Sequence, residues 1–545
     1  TNVNALQGST LNTGIASSQA VTFGVTGTNT YNIGGLQGTK SLSIGSNSIS
    51  VGANNNTTTF DGNLTSTGTG SITKVGTGNL TLTGTNSIAG DYNANGGTLT
   101  LTAPANTYAA LTNARVNINN GATVAVPSIV QGGFVSQDVI WTFGNAGGGN
   151  LNLAGNFVNR GLTGNKFVTT GGATNNLTGN INLDYLTNQA GLTFDIASGT
   201  GATAGLIYSG NAFNGSATQG FTKTGAGTLV LSGTNNVLAP IAVNAGTLQL
   251  GNGGTTGELG ANSGAITLGA STMLTVNRSN AVALGNTLTG AGSLTQAGTG
   301  TLTLTGNNNY TGTTTINAGT LQVGNGGATG TLGSGAITDN GTLTFNRDTT
   351  TSLVINNTIG GSGGINQVGS GTTVINAANS YTGNTVVTSG TLKLGNSAAI
   401  GSGTLTVGAS GTSSASLDLA GFSLTKAISV NGYGAGGSTG SVGALTNSSA
   451  TASSLSGVIT LGSASSIGGT GTGGLTLSNN LAGAFGLKKV GSDTLTLTGS
   501  TNGTTTTTVD QGTLNVGNGG ATGTLGSGNV TLNNSATLNY ASSIA

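Results

Sequence analysis

The stretch from Gly298 to Gly324 reads Gly-Thr-Gly-Thr-Leu-Thr-Leu-Thr-Gly-Asn-Asn-Asn-Tyr-Thr-Gly-Thr-Thr-Thr-Ile-Asn-Ala-Gly-Thr-Leu-Gln-Val-Gly. It holds three short runs in which apolar and small polar residues alternate: Thr301–Thr305, Thr313–Ile316 and Thr320–Val323. Gly and Asn fill the gaps. Alternation with a period of two between such breaks predicts half-buried strands, not helix. Three strands of this length cannot bury a face alone, so the unit predicts copies of itself to stack on.

The sequence supplies them. Lys74-Val75-Gly76-Thr77-Gly78-Asn79-Leu80-Thr81-Leu82-Thr83-Gly84 closes with Gly97-Thr98-Leu99-Thr100-Leu101. Related strings start at Lys223, Gln296, Gln367 and Lys489. Each closes with Gly-Thr-Leu, at Gly246, Gly319, Gly390 and Gly512. The marker glycines Gly76, Gly225, Gly298, Gly369 and Gly491 lie 149, 73, 71 and 122 residues apart. The stretch Gly324–Gly335 recurs identically at Gly517–Gly528. A stack of coils fits this pattern, with each strand about 4.8 Å above its counterpart, Leu and Val inward and Thr outward. Gly and Asn at the turns are expected to supply positive φ. At about 22 residues per coil, an assumed length, the rod is expected to be on the order of 120 Å long.

Composition agrees. Of 545 residues, 103 are Gly and only 4% are charged, for a formal net charge of +1. A soluble domain typically has roughly 25% charged residues. Low charge beside 35% hydrophobic residues is not the disorder signature of low hydrophobicity and high net charge. Pro, which interrupts strand ladders, occurs three times. There is no Cys, which removes disulfides and thiolate metal sites, and no His, which removes the commonest general base and metal ligand. Lys and Arg are scattered, so no phosphate-binding cluster exists and no nucleic-acid partner is expected. No apolar run reaches membrane-spanning length. The first residue is Thr1 with no signal-like start, so any secretory signal is expected to have been removed.

Read in order, residues 1–70 form irregular N-terminal coils and 71–130 a β-solenoid with the first repeat. Residues 131–198 differ: they hold the single Trp, Trp141, with several Phe, and are expected to form wider coils or a side lobe. Residues 199–545 form a regular solenoid with four further repeats.

The recurring string Lys/Gln-x-Gly-x-Gly-x-Leu-x-Leu-x-Gly-x-Asn-x-Tyr-x-Gly-x-Thr…Gly-Thr-Leu resembles the passenger-associated transport repeat of bacterial autotransporters. The units with Tyr310 and Tyr381 match nearly throughout. Ile88 and Val237 stand in the aromatic place in the first two units, and the fifth has no aromatic there. The resemblance implies a right-handed parallel β-helix, an all-β single long rod, carried to the bacterial cell surface or beyond. Autotransporters also carry a C-terminal translocator barrel, which is not among these 545 residues. It is expected to have been removed, or the sequence is truncated, or export takes another route.

Candidate sites are few. Gly-x-Gly-x-x-Gly strings lack the strand–turn–helix setting of a phosphate loop. The Gly-rich turns Gly324–Gly327 and Gly517–Gly520 carry no acid for calcium. No cofactor or metal is expected. Outward Thr-x-Thr arrays match a flat ice-binding face, but they are also what an exposed strand favours. Trp141, Asp138, Arg160, Lys166, Asp184 and Tyr185 are the candidate contacts of a sugar-binding or sugar-cleaving groove, since such chemistry needs clustered acids or bases; against it stands the reading that the aromatics fill wide coils and the charges are solvated. The polar residues two before each marker glycine, Lys74, Lys223, Gln296, Gln367 and Lys489, are expected to cover a turn with their stems while the heads bond a neighbouring coil's carbonyl.

The leading functional expectation is a secreted, non-enzymatic surface structural protein that self-associates end to end into fibres or a surface layer. Open strand edges at the ends of a stack are templates for pairing with another copy. The alternative is an autotransporter-type adhesin passenger that binds surface glycans or a host surface. A polysaccharide-binding or -cleaving helix is a minor third.

Overall fold

The computed structural model describes residues 2–15, 21, 23, 28–102, 115–126, 140–143, 148–158, 166–170, 174–182, 192–198, 205–213, 220–260, 264–409, 413–435, 437–520, 522–533 and 535–541. Among the described residues every pairing between strands is parallel. Among the described residues there is no α-helix, and one 3-10 turn at Gly437–Thr439. The chain divides into two compact units: Thr1–Asn280 with Gly285–Ser293, and Ala281–Leu284 with Leu294–Ala545.

Through the first repeat, consecutive strands alternate between two ladders. Ile72–Lys74 joins one, Asn79–Leu82 the other, Tyr92–Ala94 the first again and Thr98–Leu101 the second. Each turn of chain thus lays one strand in each ladder, which makes a parallel β-solenoid. Leu80, Leu99, Val124, Leu151, Leu177 and Tyr208 stack one above another, at spacings of 19, 25, 27, 26 and 31 residues. Coil length is therefore not fixed near 22; extra residues enter between strands while the register inside them is kept. Strands Ile140–Phe143, Lys166–Thr169 and Leu192–Ile196 take successive places in the first ladder.

The second unit repeats the plan. Leu284, Leu304, Val323, Phe345, Gln367, Val387, Val407, Val430 and Leu461 form one column. Tertiary stacking explains why short runs such as Thr301–Leu304 are strands at all. Leu302 and Leu304 are buried while Thr301 and Thr303 are only half-buried, so the alternation of the sequence becomes the inside and outside of the coil. Burying one Leu side chain stabilises by about 1.5–3 kcal/mol, and the column multiplies that gain coil by coil.

Candidate functional site

The residues that open the repeats occupy inward places in otherwise apolar columns. Lys74 lies between Val51 and Ala94, Lys223 between Phe194 and Val243, Lys489 between Ile467 and Val509, and Gln367 between Phe345 and Val387. All three lysines are 0% exposed. A cation there requires acceptors, because an unpaired buried charge is costly.

Backbone carbonyls supply them. The Lys223 ammonium donates to the carbonyls of Thr224 (2.7 Å) and Gly225 (2.7 Å) in its own turn, and of Ala245 (3.1 Å) in the next coil. Lys74 donates to Val75, to Gly76 at 3.0 Å and to Gly96 at 3.2 Å. Lys489 donates to Val490 (2.8 Å), Gly491 (2.8 Å) and Gln511 (3.1 Å). Three donors on each ammonium meet three carbonyls. The third carbonyl always lies 22 residues further on, so the side chain fastens one coil to the next. The marker glycine makes the cage possible: Gly76, Gly225 and Gly491 have φ of 70°, 71° and 74°, the left-handed region that glycine adopts without strain.

Glutamine closes the turn differently. Gln296 Nε2 donates to Gly298 (2.8 Å) and Gly300 (3.0 Å), and Gln367 Nε2 to Gly369 (2.8 Å) and Gly371 (3.2 Å). Each pair of carbonyls belongs to the glutamine's own turn, so these side chains cap it without bonding the next coil. Gly298 and Gly369 do not adopt positive φ. Positive φ at the marker glycine thus goes with the lysine coils and not with the glutamine coils. The expectation of a head bonded to a neighbouring coil divides in the same way.

Burial pushes the Lys223 ammonium down to about 8, against the pull of the Asp195 charge. Burial also lowers Lys74. Lys489 is lowered by burial, opposed by Asp493, whose own carboxyl burial raises. These shifts arise inside the coil, away from any solvent-facing reactant.

The aromatic of the repeat is likewise internal. Tyr310 and Tyr381 are 0% exposed, with hydroxyls 2.7 Å from the hydroxyls of Thr314 and Thr385. Gly333 and Gly401 pass directly against these tyrosines, so close that an added Cβ would collide with the tyrosine carbonyl and ring.

Two arginines and one acid escaped the sequence reading. Arg278 donates to the Thr255 carbonyl and pairs with Glu258 at 3.2 Å; Arg347 donates to the Gly330 carbonyl at 2.8 Å. Each guanidinium props the exposed Gly-Asn-Gly-Gly turn that begins at Gly251 or Gly324. The repeated pair Asn277-Arg278 and Asn346-Arg347, each following a strand, was the available signal. Asp339 is 0% exposed, and burial raises its carboxyl to about 6.

Of the six groove residues, Trp141 and Lys166 are among the described ones. Trp141 is 0% exposed and turned into the core, 6.5 Å from the Phe167 ring, which lies 5.4 Å from Phe194. Val116, Trp141, Phe167 and Phe194 are one column beneath Lys223, so hydrophobic stacking claims the indole that a groove would have needed. Lys166 is exposed on the strand Lys166–Thr169. Asp138, Arg160, Asp184 and Tyr185 lie outside the described residues. Among the described residues no three acids group as a metal site, and no helix is long and apolar enough to cross a membrane.

Against known proteins, the passenger-associated-transport-repeat family matches residues 72–99, 94–124, 221–250, 294–323, 365–394 and 487–516. Five of these matches begin two residues before the caged Lys or Gln. The sixth, 94–124, has Gly96 in that place and overlaps the end of the first. The chain is 32% identical over 422 residues to the adhesin BmaC autotransporter of Brucella suis biovar 1. That alignment covers 66% of this chain and 11% of the relative, so the chain spans about a tenth of that protein's length. No solved structure matches.

Proposed function

We propose, from the premise that repeats, relative and solenoid together fit an autotransporter passenger domain, that this chain is a non-enzymatic adhesin-type segment at or beyond a bacterial surface. The observation that carries the reading is the identity with a relative named as an adhesin, extending over 422 residues instead of one motif. The chemistry agrees in kind. The repeats spend their charged and aromatic side chains on fastening coils, and the outward positions carry Thr, Asn and Ser. A face of hydroxyls and amides suits hydrogen bonding to surface glycans or to a host surface. The test is display of this segment on a non-adherent bacterium, with binding to host cells and immobilised glycans measured. Saturable binding supports the reading; binding no greater than that of the undisplayed strain overturns it.

The finer reading is end-to-end association. Wherever a stack of parallel coils stops, its last strands present unpaired N–H and C=O groups, which another stack can pair with. A contact of that kind that does not close produces filaments. Electron microscopy of the purified chain decides: regular fibres favour association, and separate particles at all concentrations refute it.

A further inference from the structure

We propose that Asn95 is a site of spontaneous covalent modification, marked out by how the fold treats Asn–Gly bonds. The chemistry is general. The nitrogen of the following residue attacks the Asn side-chain carbonyl carbon; a C–N bond closes a succinimide ring, and the side-chain nitrogen leaves as ammonia. Water then opens the ring at either carbonyl, giving aspartate or isoaspartate. Glycine in the second place is fastest because it has no Cβ to obstruct the attack. The nucleophile is the deprotonated amide, so an N–H engaged as a hydrogen-bond donor, with its peptide plane fixed, is held back.

The sequence contains nine Asn–Gly pairs. One, at Asn214, lies outside the described residues. In seven of the remaining eight the glycine amide is tied. The three protruding turns are the informative cases, because Asn252, Asn325 and Asn518 are all exposed to water. Their glycines nevertheless donate to the coil above: Gly253 to Asn277 at 2.9 Å, Gly326 to Asn346 at 2.9 Å and Gly519 to Ala541 at 2.6 Å. Gly121 and Gly503 donate to the carbonyls of Gly148 and Leu481, each at 2.8 Å. Gly341 donates to the Asp339 carboxylate at 3.1 Å and Gly432 to the Ser463 hydroxyl at 3.0 Å.

Asn95 is the exception. Its side chain is exposed, and the Gly96 amide donates to no group among the described residues. A second feature favours attack there. Asn119 Nδ2 donates to the Asn95 side-chain oxygen at 2.9 Å, drawing electrons from the carbon that the amide must reach. The position matters for the fold, because the Gly96 carbonyl is the next-coil acceptor of the Lys74 ammonium. Isoaspartate would insert a backbone carbon immediately before it.

The experiment incubates the full folded chain at mildly alkaline pH, beside the same chain in denaturant. Both are followed by peptide mapping for amide-to-acid conversion and by isoaspartyl methyltransferase labelling. In the folded chain Asn95 should convert at least about tenfold faster than Asn252, Asn325 and Asn518, since those amides are freed only by local opening. In denaturant the difference should disappear, and Asn95→Gln should remove the signal from its peptide. Conversion of any of the three turn sites as fast as Asn95 in the folded chain overturns the proposal. So does an unchanged Asn95 in a folded chain whose denatured counterpart converts.

Discussion

The Lys489 ammonium stands 2.7 Å from the Asp493 carboxylate, and neither side chain has exposed surface. Four residues after the capping Lys or Gln, the other repeats have Gly78, Gly227, Gly300 and Gly371. Asp493 is therefore an addition to the cage, and its second oxygen accepts from the Gly469 amide at 2.9 Å. Removing the lysine alone strands a buried carboxylate. Lys489→Gln should cost about 3–5 kcal/mol, the usual penalty for breaking a buried pair from one side. Combining it with Asp493→Gly, the residue of the other repeats, should recover at least half of that in denaturant unfolding. Additive losses in the double variant would contradict the pairing.

Glutamine already serves this position at Gln296 and Gln367, so Lys223→Gln should be tolerated. We expect a loss of at most about 1 kcal/mol, the worth of one hydrogen bond. Lys223→Ala leaves the Thr224, Gly225 and Ala245 carbonyls without their donor and a cavity where the stem lay. It should cost about 2–4 kcal/mol. Equal effects of the two variants on the unfolding midpoint would show that the cage is ornamental.

Strand positions were legible in the sequence because the interior demands it: Leu302 and Leu304 must face in, and the period-two pattern is the direct trace of that demand. The caged position was legible as a long polar residue at a fixed offset from Gly. Its two bonding modes were not, since Lys and Gln differ in hydrogen count only once the carbonyls are in place. The inward place of Trp141 was not legible, because composition cannot say which face of a strand a residue takes. The column from Val116 to Phe194 decides that, and it depends on register across coils of unequal length. Asp339 gave no signal, because its inward place is set by the register that stacks it directly on Ile316.

That acid sets a pH dependence. Its carboxyl is raised from 3.8 to about 6 by burial, against the pull of the Gly341 and Leu343 amides. The folded chain therefore favours the protonated form. The corresponding stability is fully present below pH 3.8 and is lost as pH rises through about 6. Asp339→Asn keeps an oxygen for the Gly341 amide and should add about 1–3 kcal/mol at pH 7 while adding nothing at pH 3. A gain of the same size at both pH values would remove the acid as its cause.

The repeat tyrosine should tolerate loss of its hydroxyl better than loss of its neighbouring glycine. Tyr310→Phe gives up one bond to Thr314, about 1 kcal/mol. Gly333→Ala drives a methyl into the Tyr310 carbonyl and ring and should cost about 2–3 kcal/mol or more. Thermal unfolding of the two variants checks the order, and the reverse order would contradict the packing.

Trp141, being the single tryptophan, reports on its own burial. Its fluorescence in the native chain should be blue-shifted and shielded from iodide, and Trp141→Ala should cost about 3–5 kcal/mol as a large core cavity. Emission like that of free indole in water would return the residue to the surface.

The caged ammonium is the feature on which the account of the repeats rests, and amine acetylation with mass-spectrometric mapping tests it most directly. The folded chain should label readily at the exposed Lys40 and Lys166 and should protect Lys74, Lys223 and Lys489 until it unfolds. Labelling of those three at the rate of Lys40 and Lys166 in the folded chain would contradict it.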